Sequence, residues 1–193
     1  MNARSPRNAK NARDAKNARD AKGARAGVDE GLRLRLLSLL AAIAEDWQAA
    51  SKNAEQAQQV LEETEARRLR AAAAATFLVR FYTGVEQVFQ RIAQEFDGGL
   101  PAGPAWHREL LMAMARETPS SRPALLTPQL RDTLDEYRKF RHRVMHAYGA
   151  DLDWEAMRPL VERAGSVSAE LQAALDRFTV FVKDIAGQGR GET

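Results

Sequence analysis

The chain has 193 residues, of which 45% are hydrophobic and 28% charged, the balance of a globular protein with room for one domain. It contains no cysteine, which excludes a disulfide or a thiolate metal site. No apolar run is long enough to span a bilayer or to serve as a secretion signal. We therefore expect a soluble, cytoplasmic protein that does not bind a membrane.

Residues 1–27 form a basic, low-complexity segment that we predict to be a disordered tail. They carry eight Lys or Arg and two Asp, a balance of +6, so a net charge of +3 leaves −3 for the rest of the chain. The sequence Ala9-Lys-Asn-Ala-Arg-Asp repeats from Ala15, and no large apolar side chain lies between Met1 and Val28 to offset the entropy of ordering. Three interpretations of the tail are open: a solvated segment, an arm that holds RNA phosphates nonspecifically, and an organelle-targeting segment. A helical domain is expected over 28–186, followed by a flexible C-terminus over 187–193.

Apolar residues at helical spacing predict an all-α, up-and-down bundle of four to five helices. The first helix begins near Asp29, carries Leu36, Ile43 and Trp47 on one face, and either continues to about residue 61 or breaks near Ser51. The second helix spans about 62–96 and ends at Asp97-Gly-Gly. Its apolar face consists of Phe77, Phe81, Val85, Val88, Phe89 and Ile92.

The second half of the chain predicts three further helices. A short one covers 106–116, and the next begins with Thr127 as its N-cap and Pro128 at its first position, then runs to about 148 before Gly149. The last helix is expected over 166–185. No segment alternates apolar and polar residues over a useful length, so no sheet is expected.

The end of the fourth predicted helix concentrates titratable and cationic side chains. Residues 140–149 hold two of the chain's three histidines, two arginines and a tyrosine. On a helical wheel Arg141 and Tyr148 lie within about 20° of each other, whereas His146 is about 140° around the axis from Arg141. One helix alone does not bring the tips of Arg141 and His146 together. Either Arg141 curls back, or a second helix, such as one from a second copy of the chain, supplies the group that completes the site.

Arg141, His146 and Tyr148 match the Arg-x4-His-x-Tyr motif of the HEPN superfamily. The chain resembles its HepT branch in particular, the ribonuclease toxins of HepT–MntA toxin–antitoxin systems, over roughly residues 30–163. Three other segments are similar to HepT-like proteins: Phe81-Tyr-Thr-Gly-Val-Glu86, Trp106-His-Arg-Glu-Leu-Leu and Leu134-Asp-Glu-Tyr-Arg-Lys-Phe. The basic tail is not part of the family pattern.

The resemblance implies a toxin that is a metal-independent endoribonuclease, works as a homodimer and needs no cofactor. If the roles of the family's motif residues are transferred to this chain, His146 is the general acid or base and Arg141 binds the scissile phosphate. Tyr148 corresponds to the tyrosine that an MntA-like nucleotidyltransferase antitoxin modifies with AMP, a modification called AMPylation. His142 and Arg143 are candidate RNA contacts.

The residues also allow interpretations that involve no catalysis. The chain could be a non-catalytic HEPN-type module that binds RNA, a nucleotide or a partner protein, or a purely structural bundle. Arg141 could pair with Asp135 or Glu136 or face solvent. Glu86 with Tyr82, and His107 with Arg108, are expected to serve packing, with Glu86 as a possible buried partner for an arginine. His142 and His146 are four residues apart, but no carboxylate lies at a matching spacing, so no metal site is predicted.

Overall fold

The computed structural model describes the backbone of residues 6–62, 67–118, 121–146 and 152–188, and side chains over 30–59, 70–118, 121–146 and 152–187. The helices of this part of the chain are α1 (Pro6–Glu62), α2 (Arg67–Phe96), α3 (Trp106–Met114), α4 (Pro128–His146) and α5 (Trp154–Gln188). The described residues contain no strand and only an isolated bridge between Thr118 and Arg122. The predicted all-α bundle is confirmed.

Helix α1 is longer than the sequence pattern suggests. Its backbone begins at Pro6 and so passes through most of the basic segment, for which the composition predicts disorder. Ala, Arg and Lys are strong helix formers, which favours this conformation, and the side chains before residue 30 lie outside the described residues. The helix does not break near Ser51. The Ser51 hydroxyl donates to the Gln48 carbonyl at 3.2 Å, so the polar side chain is satisfied on the preceding turn. The boundaries at 28 and 186 stay predictions.

Two predicted helix ends are confirmed by their backbone geometry. Helix α2 ends before Gly98 and Gly99, which have φ values of +77° and +134°, a region that favours glycine. At the start of α4, the Leu130 N–H donates to the Thr127 hydroxyl at 3.1 Å, so Thr127 is the N-cap and Pro128 the first helical residue.

The predicted start of the last helix at residue 166 is wrong. Helix α5 begins at Trp154, and the Asp153 carboxylate accepts from the backbone N–H of Glu155 at 3.0 Å. Pro159 lies inside the helix but near its start, where the missing N–H removes a single backbone hydrogen bond. The Asp153 cap therefore starts the helix within a segment that resembles a loop, and the hydrogen bond lost at Pro159 does not end it.

The chain divides into two compact units, residues 40–180 and residues 1–39 with 181–193. Within residues 40–180, the core side chains Phe81, Val85 and Val88 of α2 are all fully buried. The ring of Tyr137 on α4 packs edge-on against Phe81 with centroids 5.6 Å apart, and its hydroxyl donates to the Leu160 carbonyl of α5 at 2.7 Å. Phe77 is only half-buried, so one position of the predicted apolar face lies at its margin.

Helices α1 and α2 approach closely at Gly84. A Cβ atom placed on Gly84 would lie 2.5 Å from Cβ of Ala50, so this crossing requires a residue without a side chain. In the unit formed by the two ends of the chain, Leu36 and Val182 are buried while Leu34 is exposed. Among the described helices, none has a stretch long and apolar enough to cross a membrane.

Candidate functional site

Arg141 lies on the face of α4 that packs against α2. Its Nε donates to the Thr83 hydroxyl at 3.0 Å, and its Nη1 is 3.7 Å from Oε1 of Glu86. The Thr83 hydroxyl in turn donates to the Val79 carbonyl at 2.8 Å, which leaves its oxygen free to accept from Arg141. The side chain of Arg141 is 21% exposed, and within the described residues its Nη2 has no hydrogen-bond partner. Within the described residues, the guanidinium is therefore held by Thr83 at Nε and faced by Glu86 at Nη1, and Nη2 makes no hydrogen bond.

Glu86 is a buried carboxylate shared by two cationic or titratable side chains. Its Oε2 lies 2.5 Å from Nδ1 of His107 on α3, while Oε1 faces Arg141. A carboxylate only accepts, so Nδ1 of His107 carries the proton in this contact. The ring of His107 stacks on Trp106 with centroids 3.7 Å apart. Because the Glu86 side chain is 4% exposed, these neighbours offset the cost of burying its charge.

Tyr82 borders the same cluster as a neutral phenol. Burial raises the pKa of Tyr82 well above its usual range, and the negative charge of Glu86 raises it further. The phenol thus stays protonated at physiological pH.

His146 lies at the exposed end of α4, away from Arg141. Its Nδ1 is 2.8 Å from the backbone carbonyl of His142, and the two imidazole rings have centroids 4.2 Å apart. Since the carbonyl only accepts, Nδ1–H is the donor, and a neutral ring then carries its lone pair on Nε2. Nε2 has no partner within the described residues. In this tautomer Nε2 can accept a proton, as a general base does.

Arg141 and His146 do not meet within one chain. No hydrogen bond, ion pair or ring contact joins them in the described residues, as the wheel angle of about 140° predicts. Arg141 does not curl back toward His146, because Thr83 and Glu86 hold it against α2. Tyr148 lies outside the described residues.

The suggested pairing of Arg141 with Asp135 or Glu136 is wrong. Asp135 pairs with Arg138 at 2.7 Å and with Lys139 at 2.8 Å, and Glu136 pairs with Arg163. Burial by itself would raise the pKa of Asp135, but hydrogen bonds from Lys139 and Arg138 outweigh it and hold the pKa below its usual value.

His142 and Arg143 are both exposed and line a cleft between α4 and α5 with a volume of about 670 Å³. The two candidate RNA contacts are thus on one surface, adjacent to His146 and separate from the α2 face that holds Arg141.

The sequence identified Glu86 and His107 as packing residues but did not predict their contact, and it missed Thr83. The expectation that Glu86 is a buried partner of an arginine is confirmed by its contact with Arg141. The contacts of Thr83 and His107 were not foreseen. The available signal was the run of polar residues at 82, 83 and 86, spaced as one side of a helix that is otherwise apolar.

The described residues include no group of three or more His, Asp or Glu placed to hold a metal ion. The imidazole and guanidinium side chains on α4 can transfer protons and bind anions.

Comparison with protein families gives one match. The family model described as HepT-like protein matches residues 73–182, which include all of α3 and α4 and the contacts of Arg141. Neither the curated proteins nor the solved structures gave a match to this chain.

Proposed function

Because the chain belongs to the HepT-like protein family, whose model covers residues 73–182, we propose that it is the toxin of a toxin–antitoxin pair and cleaves RNA without a metal ion. The observation that carries this proposal is the state of His146. Its ring is fixed through Nδ1 at the exposed end of α4, and Nε2 has no partner within the described residues.

The reaction uses the 2′-hydroxyl of RNA as its nucleophile. Nε2 of His146 takes the proton of the 2′-hydroxyl, O2′ forms a bond to phosphorus, and the bond from phosphorus to O5′ breaks. The imidazolium returns the proton to the leaving O5′, so the products are a 2′,3′-cyclic phosphate and a free 5′-hydroxyl. Arg141 stabilises the charge that develops on the phosphate oxygens through its open Nη2.

A second copy of the chain completes the site in this proposal. Arg141 and His146 face different sides of α4, so one phosphodiester reaches Arg141 of one copy and His146 of the other. Mixing the inactive variants Arg141→Ala and His146→Ala tests this arrangement. If the two residues act in trans, half of the dimers are mixed and each has one intact site, so about a quarter of wild-type activity returns. Action in cis restores none.

The cleavage test uses the purified chain, a chelator and a labelled RNA. We expect a cyclic-phosphate product that persists in the chelator, and a loss of at least about a hundredfold in His146→Ala and in Arg141→Ala. Arg158→Ala is the matched control, since Arg158 is an exposed arginine on α5 paired with Glu162 at 2.7 Å. A wild type without cleavage, or cleavage that survives in His146→Ala, rejects the proposal.

Neutralisation by an MntA-like nucleotidyltransferase that transfers AMP to Tyr148 completes the proposed function. On a helical wheel Tyr148 and Arg141 differ by about 20°, and in this proposal a phosphate-bearing adduct on Tyr148 competes for the guanidinium. Incubation with such an enzyme and ATP is expected to add one AMP to the chain and abolish cleavage. The Tyr148→Phe variant should gain no AMP and stay active, and a modified protein that keeps full activity rejects this step.

One observation favours a second candidate function, binding without cleavage. Arg141 is held inward by Thr83 and Glu86 and does not meet His146 in one chain. A non-catalytic HEPN-type module would bind RNA with unchanged affinity in His146→Ala and yield no product from the wild type.

A further inference from the structure

The cleft between α4 and α5 is distinct from the groups assigned to proton transfer and phosphate binding. Its α4 wall carries Arg138, Lys139 and Arg143, its α5 wall carries Arg163, and Pro159 and Leu160 contribute aliphatic surface. The volume of about 670 Å³ is large enough for a small organic group. The cleft therefore combines cationic side chains with an apolar surface.

The charges in and beside the cleft sum to a positive value. Glu136 lines the cleft and Asp135 lies beside it, so the four cations and two carboxylates leave a net charge of +2. Arg138 and Lys139 are paired with Asp135, and Arg163 with Glu136 at 2.5 Å. Arg143 has no acidic partner in the described part of the chain. An anion entering the cleft thus meets one open guanidinium and a net positive surrounding.

The cleft leads directly to His146. His142 lines it, and the ring of His142 lies 4.2 Å from the ring of His146, centroid to centroid. The two residues are one helical turn apart, a rise of about 6 Å. A ligand in the cleft is therefore the immediate neighbour of whatever His146 contacts.

We propose that this cleft is a subsite for one nucleotide of single-stranded RNA, next to the phosphodiester that His146 attacks. Arg143 and Arg163 bind the phosphate, and the base or ribose packs on Pro159 and Leu160. Single-stranded RNA has the combination of charge and flat apolar surface that the cleft fits. The attack of His146 on the neighbouring phosphodiester rests on the proposed function.

Binding to an oligouridylate of about twelve nucleotides tests the subsite, in the full chain with His146→Ala so that the RNA stays intact. Adding Arg143→Ala or Arg163→Ala should raise Kd about tenfold and lower the slope of log Kd against log salt by about one. Adding Arg158→Ala removes the same charge from another surface of α5 and should change neither value by more than about twofold. Equal Kd values for all three variants overturn the proposal.

A cross-linking experiment locates the RNA independently of affinity. With 4-thiouridine in the oligonucleotide, peptides containing residues 142–163 are expected to cross-link, and Arg143→Ala should reduce that signal. Cross-links confined to residues 1–27 overturn the subsite and assign RNA binding to the basic segment. A loss of antitoxin binding in the Arg143 and Arg163 variants, with RNA affinity unchanged, also overturns it, because the cleft is then a protein-docking surface.

The subsite and the proposed function can fail separately. A wild type that binds RNA through Arg143 and Arg163 but does not cleave it supports the subsite and rejects the ribonuclease. A wild type that cleaves RNA with the same KM in the Arg143→Ala and Arg163→Ala variants rejects the subsite and keeps the ribonuclease.

Discussion

Substituting Glu86 by Gln tests which of its two neighbours the buried carboxylate stabilises. The Oε2 contact with His107 is 2.5 Å, a hydrogen bond to a charged group, and such bonds contribute about 1.5–3 kcal/mol. The Oε1 contact with Nη1 of Arg141 is 3.7 Å, beyond hydrogen-bond length, and Arg141 is 21% exposed. Water screens that pair, so we assign it about 1 kcal/mol or less.

Two double-mutant cycles separate these contributions. One combines Glu86→Gln with His107→Gln, the other combines Glu86→Gln with Arg141→Gln, and urea unfolding gives the free energy of unfolding for each variant. We expect the His107 cycle to give the larger coupling energy, by about 1 kcal/mol or more. Glu109→Gln, which removes an exposed carboxylate from α3, is the control and should change stability by less than about 0.5 kcal/mol.

The result matters for Arg141. If Glu86 is coupled mainly to His107, the guanidinium of Arg141 is oriented by Thr83 and remains available to a phosphate. A larger coupling energy with Arg141 than with His107 refutes this reasoning, because Arg141 would then be committed to an internal ion pair.

Three further predictions concern the scaffold around the site. Gly84→Ala should destabilise the fold by about 1–3 kcal/mol despite alanine's better helix propensity, with partial recovery on adding Ala50→Gly; a Gly84→Ala variant with a higher Tm than wild type contradicts this. Tyr137→Phe should cost about 1 kcal/mol in urea unfolding, because its buried hydroxyl donates to the Leu160 carbonyl; an unchanged midpoint contradicts it. Asp135 has a pKa held below its ordinary value in the folded state, so its contribution is present above the unfolded-state pKa of about 3.9 and is lost as pH falls through the lower folded value. Unfolding midpoints measured from about pH 5 down to 2 should fall less steeply in Asp135→Asn than in the wild type, and parallel curves refute this.

Local signals were sufficient for much of the fold. The apolar spacing that includes Phe81 and Val85 located the buried face of α2, and Thr127 with Pro128 located the start of α4. These signals act within a few residues of the chain, through periodicity and capping. The start of α5 was missed because Pro159 and Gly165 resemble helix breakers when the cap at Asp153 is not taken into account.

The sequence predicted only part of the candidate site, because local patterns do not show which side chains meet across helices. The angular separation of Arg141 and His146 follows from helix geometry alone and agrees with the structure. The contacts that hold Arg141 come from Thr83 on another helix, and Glu86 is in turn bound by His107 on a third. Which side chains meet across helices depends on the crossing of α2, α3 and α4, which no local pattern encodes.

The five-residue spacing between Arg141 and His146 has a consequence for assembly. Residues three, four or seven positions apart share a helix face, and a pair at such a spacing could reach one phosphodiester from a single chain. An offset of five turns the imidazole about 140° away from the guanidinium, and the contacts of Arg141 with α2 fix that separation. The same offset suits two copies that face each other, because each can supply one group to a shared cleft. The spacing of the motif thus supports the proposed requirement for a second copy, and recovery of activity on mixing the two inactive variants tests it directly.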